Sequence, residues 1–149
     1  MKTTLRSVVL IAALALSGAA LAVDTTPTTG SPDLSAPRAA IKAKDFKTAA
    51  VQLTAMVNAG VQHPDLYSLL GFSLRKSGDQ KTAATYYRKA LEFDPAHKGA
   101  LEYQGELYVE TGEIAKAKAN LAALEKLCPS GCEEREDLEK ALAAAPKSN

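Results

Sequence analysis

Shifted by 34 residues, the sequence overlies itself: His63 falls on His97, Gly71 on Gly105, Gly78 on Gly112, Ala83 on Ala117 and Pro95 on Pro129. A period of this length describes a supersecondary unit that cannot bury its apolar face alone and does so by stacking on its neighbours. The coincident residues are those that a pair of helices needs. Gly71 and Gly105 lie midway along a first helix, where a missing side chain lets the paired helix approach. Gly78 and Gly112 end that helix, where a left-handed backbone is required. Asp79 and Glu113 then bring negative charge to the positive end of the second helix. Ala83 and Ala117 keep the crossing tight, Tyr87 and Leu121 fill the space beside it, and Pro95 and Pro129 stop the chain continuing helically.

Composition agrees with helices. Of the 149 residues, 46% are hydrophobic but only 5% are aromatic, with no tryptophan, and alanine supplies much of the apolar content. Such a chain favours an all-α fold whose helix axes approach closely. The formal net charge of +1 gives no broad field that would attract nucleic acid or an anionic membrane surface.

Tyr67, Leu70, Gly71, Leu74, Ala83, Tyr87, Ala90 and Pro95 form the alternation of bulky and small positions that resembles the tetratricopeptide repeat. Leu101, Gly105, Tyr108, Ala117, Leu121 and Pro129 repeat it, with departures at Gln104, where a bulky apolar residue is usual, and Leu124, where a small one is usual. Those departures are expected to loosen or tilt the second hairpin. A partial repeat precedes them, opened by Asp45-Phe46 and carrying Ala49, Leu53 and Met56; its first helix is short, because Pro37 stands 34 residues before Gly71. After Pro129, Ser130 and Glu133 have capping-box spacing, and Leu138 and Leu142 mark the apolar face of a capping helix. The resemblance implies about two and a half helical hairpins in a short right-handed solenoid: a partial repeat over 38–62, repeats over 63–96 and 97–130, and a cap over 131–145.

The N-terminus reads as an export signal. Lys2 and Arg6 precede the apolar run Val8 to Leu16, and Ala20-Leu21-Ala22 fits the small-residue cleavage rule, so residues 1–22 form a signal peptide and the expected location is periplasmic or secreted. The apolar run is short for a membrane span, and no membrane insertion is expected after cleavage. Residues 23–37, with three prolines and four threonines, read as a disordered linker.

In an oxidising compartment Cys128 and Cys132 are expected to form a structural disulfide, worth about 2 kcal/mol on the chain-entropy model. Unbridged thiols and a thiol-disulfide carrier remain the alternatives. Three intervening residues do not fit the redox or haem motifs of paired cysteines, and a zinc site lacks ligands. His63 and His97 sit where turn residues satisfy helix-end backbone groups, and the acidic run Glu133, Glu134, Glu136 and Asp137 reads as a solvated helix start. No catalytic motif, metal or cofactor is implied.

The resemblance also implies a concave groove lined by the first helices. Carried over by position, its residues are Asp65, Ser68, Phe72 and Arg75 in one repeat and Gly99, Glu102, Glu106 and Val109 in the next, flanked by Leu69, Lys76, Tyr103 and Glu110. Phe72 and Tyr103 are either anchors for a bound segment or packing against a neighbouring repeat. Glu102, Glu106 and Glu110 would repel a C-terminal carboxylate, and with Arg75 and Lys76 opposite they favour a ligand of mixed charge. The implied function is protein–protein interaction without catalysis, through a bound peptide or partner helix; self-association into a structural assembly is the alternative.

Overall fold

The computed structural model describes residues 31–146. The signal sequence and residues 23–30 of the expected linker lie outside the described residues. Within them the chain is an all-α helical-repeat solenoid of seven helices: α1 (Ser35–Lys42), α2 (Phe46–Asn58), α3 (Pro64–Lys76), α4 (Gln80–Phe93), α5 (Lys98–Glu110), α6 (Ile114–Leu127) and α7 (Glu133–Ala143). Hairpins α1/α2, α3/α4 and α5/α6 follow one another, with α3 packed on α2, α4 and α5, and α7 closing the stack against α5 and α6.

The period is written in the backbone further than in the residue types. Lys44, Gly78 and Gly112, each 34 residues from the next, all adopt positive φ, at 59°, 94° and 78°. Lys44 therefore holds a left-handed turn that glycine takes at little cost and a side chain resists by about 1–2 kcal/mol. The N-caps keep the same step: the Asp45 carboxylate accepts from the Thr48 amide, and the Asp79 carboxylate accepts from that of Thr82. Glu113, at the next equivalent place, makes no such bond and instead meets Thr111 and Lys116.

Two expectations change at the ends. The interval 23–37 overlaps the fold, because α1 begins at Ser35 and Leu34 is buried with Ala49, Leu53, Leu66 and Leu70. A leucine that can enter an apolar cluster does so despite its Pro- and Thr-rich surroundings. At the other end Ser130 is not the cap of α7. Cys132 takes that place, without a side-chain cap bond, and the positive helix end faces Glu133, Glu134 and Glu136. The sulfurs of Cys128 and Cys132 are bonded, tying the end of α6 to the start of α7.

The core runs through the stack as four linked clusters. Tyr67, Ala90 and Ala100 join the two full hairpins, Ala83, Tyr87 and Leu107 lie beside them, and Leu101, Leu124 and Leu138 bind the last hairpin to α7. Tyr67 and Tyr87 are fully buried, and side chains of that size each contribute roughly 1.5–3 kcal/mol by leaving water.

Candidate functional site

The first helices α3 and α5, together with α1 and α7, enclose a cavity of about 490 Å³. Nine of the twelve groove residues read from the sequence line it: Asp65, Ser68, Leu69, Phe72, Lys76, Gly99, Glu102, Tyr103 and Glu106. Arg75, Val109 and Glu110 do not. They border a second, more apolar cavity of about 630 Å³ between α5 and the end of α7. The reason for Arg75 is electrostatic. Its side chain is 2% exposed, its guanidinium donates to Glu106 and, at 2.7 Å, to Glu110, and the three side chains lock α3 to α5. Burial opposes the charge on Arg75, but the Tyr87 hydroxyl, Glu106 and Glu110 more than offset it and hold its pKa above the ordinary value. The expectation of an arginine on one wall facing three glutamates on the other is thus corrected. Two of those glutamates are committed to that arginine.

Asp65, too, is occupied. One carboxylate oxygen accepts from Arg38 of α1 at 3.2 Å, and the other lies 2.7 Å from Nε2 of His97 at the start of α5. The Nδ1 of His97 accepts from the Ala100 amide at 3.0 Å, so in the neutral ring the hydrogen sits on Nε2 and is donated to Asp65. His63 uses its Nδ1 in the same way, accepting from the Asp65 amide at 3.2 Å. Both histidines are therefore helix caps, the role that their place in the repeat indicates. This network closes one end of the cavity and joins three successive first helices.

Phe72 and Tyr103 pack on each other with ring centroids 4.7 Å apart, Phe46 meets the far edge of Phe72, and Tyr87 lies behind Tyr103. They are inter-repeat packing and cavity wall at once. Burial, then Glu102 and Glu106, push the Tyr103 hydroxyl up to about 12, so it stays protonated at neutral pH.

Glu102 differs most from its expected role. It is 7% exposed, and burial, then Glu106, Asp137 and Glu134, raise its carboxyl to about 8. At neutral pH it is largely an uncharged acid rather than a groove carboxylate. The repeat places it in register with Ser68, itself buried.

Sequence reading missed Arg38, His97, Glu133, Glu134 and Asp137 as lining residues. A signal for the last group was present. One more step of 34 from Gly99 and Tyr103 reaches Glu133 and Asp137, so α7 occupies the place of the next first helix and turns those positions toward the groove. The acidic run is part of the cavity wall as well as a helix start. Among the described residues, no group of histidine, cysteine, aspartate or glutamate side chains is arranged to hold a metal ion.

The family model of the tetratricopeptide repeat matches residues 64–97, the span of α3 and α4. Residues 64–97 are a tetratricopeptide repeat. No curated protein matches it. Repeats of this family generally mediate protein–protein interaction.

Proposed function

We propose that this protein is an exported adaptor or scaffold that binds a peptide or partner helix in the groove between α1, α3, α5 and α7. The observation that carries the reading is the concave cavity itself. Nine groove positions converge on it, and ion pairs across repeats hold the walls fixed before any partner arrives. Preformed walls lower the entropy lost on binding. The groove combines aromatic contact area with polar groups, the composition of a surface that binds polypeptide rather than a small apolar molecule. The export signal supports a periplasmic or secreted location; among the described residues no helix is long and apolar enough to cross a membrane.

In-cell photocrosslinking tests the reading. A crosslinking side chain at Leu69, in the groove, is expected to trap a heterologous protein, whereas one at Val51, 70% exposed and outside the cavity, is not. Equal trapping at both positions, or self-adducts alone from Leu69, would count against groove binding. Self-adducts would favour the self-associating alternative, which sedimentation at several concentrations measures directly. Replacing Cys128 and Cys132 by serine is expected to lower stability and leave partner capture intact; loss of capture without loss of folding would point instead to a thiol-disulfide carrier.

A further inference from the structure

The α5/α7 wall of the cavity carries more carboxyl groups than the molecule neutralises. Glu106 is committed to Arg75, Glu134 lies 3.7 Å from Lys98, and Asp137 accepts from Lys140 at 2.8 Å. Glu102 has no hydrogen bond or ion pair from any described residue, although it is more than nine-tenths buried and faces the cavity. Its carboxyl opens on the cavity without a partner from the described residues, and desolvation by the surrounding walls, with the neighbouring carboxyl groups, favours its protonated form.

Beside Glu102 the lining is aromatic, from Phe72 on α3 and Tyr103 on α5. Phe72 and Tyr103 present their rings, and two cations of the chain already sit near Phe72: the Arg75 guanidinium at 5.8 Å and the Lys76 ammonium at 5.5 Å from the ring centroid. Aromatic faces beside carboxyl groups attract cations by ring quadrupole and charge together. Arginine suits such a site better than lysine, because its planar guanidinium stacks on rings, bonds carboxylates in pairs and loses less hydration on burial. The cavity, at about 490 Å³, has room for a long side chain and part of the backbone that bears it. The basic side chains facing it leave the acidic wall open. Arg38 and His97 are held by Asp65 at the other end, and Lys76 is exposed on the rim.

We infer that the cavity receives an arginine side chain from a basic segment of the partner polypeptide, with the guanidinium against the carboxyl of Glu102 and the stem along Phe72 and Tyr103. The inference rests on the groove being the partner-binding surface. It reverses the polarity of a groove that grips a carboxylate terminus: here the partner brings the cation. Binding ionises Glu102, whose proton leaves to solvent and whose new charge the guanidinium neutralises. The groups that set this exchange are Glu106 beside it on α5, Glu134 and Asp137 on α7, and Arg75 on α3.

Calorimetric titration of the full chain with an acetylated, amidated nonapeptide of alternating alanine and arginine tests the inference, with the citrulline counterpart as the uncharged isostere. The arginine peptide is expected to bind at least about tenfold more tightly than the citrulline peptide, the size typical of a desolvated charged contact. Glu102→Gln copies the shape of the protonated acid and keeps the fold, and it is expected to bring the two peptides within about twofold of each other. Glu92→Gln, on the outer helix α4, leaves the difference intact. Titrations near pH 7 in buffers of different ionisation enthalpy should show release of about one proton per arginine peptide, lost in Glu102→Gln. Equal affinity for both peptides, or a Glu102→Gln variant that keeps the difference, overturns the inference, as does a self-association that Glu102→Gln abolishes. If Leu69 still traps a partner in cells under those results, the groove reading survives and only the arginine is lost. If Leu69 traps no partner, both fall.

Discussion

The hairpins α3/α4 and α5/α6 share a period and a backbone, yet they hold their equivalent glycines against different things. A Cβ on Gly71 would stand 2.7 Å from the Tyr87 ring and 3.2 Å from the Ala83 carbonyl, both on the paired helix α4. A Cβ on Gly105 would stand 2.5 Å from Leu138 of the cap helix α7. In the first hairpin the glycine brings two helices of one repeat together, as the sequence indicates; in the second it admits the next repeat position. Residues around each glycine change to match. Leu70 and Tyr86 become Gln104 and Asn120, and the Asn120 amide donates to the Leu101 carbonyl at 3.0 Å and to Gln104 at 3.1 Å. Ala90 becomes Leu124, fully buried with Leu101 and Leu138. The departures at Gln104 and Leu124 do not loosen the second hairpin: a polar tie joins α5 to α6, and a larger side chain fills the junction with α7. A repeat unit thus tolerates exchange of an apolar contact for a hydrogen-bonded one when the new polar side chains bond to each other and to the backbone between them.

The largest test of this contrast is Leu138→Ala, expected to cost about 3 kcal/mol in urea unfolding because a fully buried leucine leaves a cavity. In a Gly105→Ala background the added methyl occupies part of that cavity, so the two changes should be less costly together than their sum. Coupling of Gly105→Ala to Leu121 instead of Leu138 would show that the two hairpins use their glycines alike. Gly71→Ala has no such relief: its methyl meets a fully buried ring and a backbone carbonyl. It should destabilise by about 2 kcal/mol despite alanine's better helix propensity.

Arg75 sharpens the comparison across the joint between hairpins. Arg75→Ala is expected to cost about 2 kcal/mol, less than a fully buried pair would, since Glu106 and Glu110 retain contact with water. Arg75→Met keeps the packing and should recover at least half of that loss; an equal loss in both variants would assign the joint to charge alone. A smaller effect, about 1 kcal/mol, is expected of Asn120→Ala, which leaves the Leu101 carbonyl and Gln104 without their donor.

The most selective test is pH. Glu102 has an ordinary value of 4.5 and is raised to about 8 in the fold. Between those values the native state keeps a proton that the unfolded chain has lost, so stability falls as pH rises through the interval and is level on either side. Glu102→Gln should flatten that slope in unfolding curves collected from pH 4 to 9. Its counterpart Ser68 carries no titrating group, so the first hairpin contributes no such term.

The sequence by itself determined the helices, their period and most of the groove. Steric requirements at Gly78, Gly112, Ala83 and Ala117 are local to the repeat, and local requirements recur wherever the unit recurs. Lys44 shows how far this reaches, since its backbone obeys the period although the residue does not. Placement of nine groove residues along one cavity followed from the same register. Only the tertiary structure decided how those side chains are spent. Arg75 turned inward because two glutamates from the next helix meet it there, Glu102 became neutral because it is buried beside Glu106 and the carboxyl groups of α7, and Leu34 left the linker because an apolar cluster lay within reach. Charge pairing and desolvation depend on distances between elements, which a period along the chain does not encode.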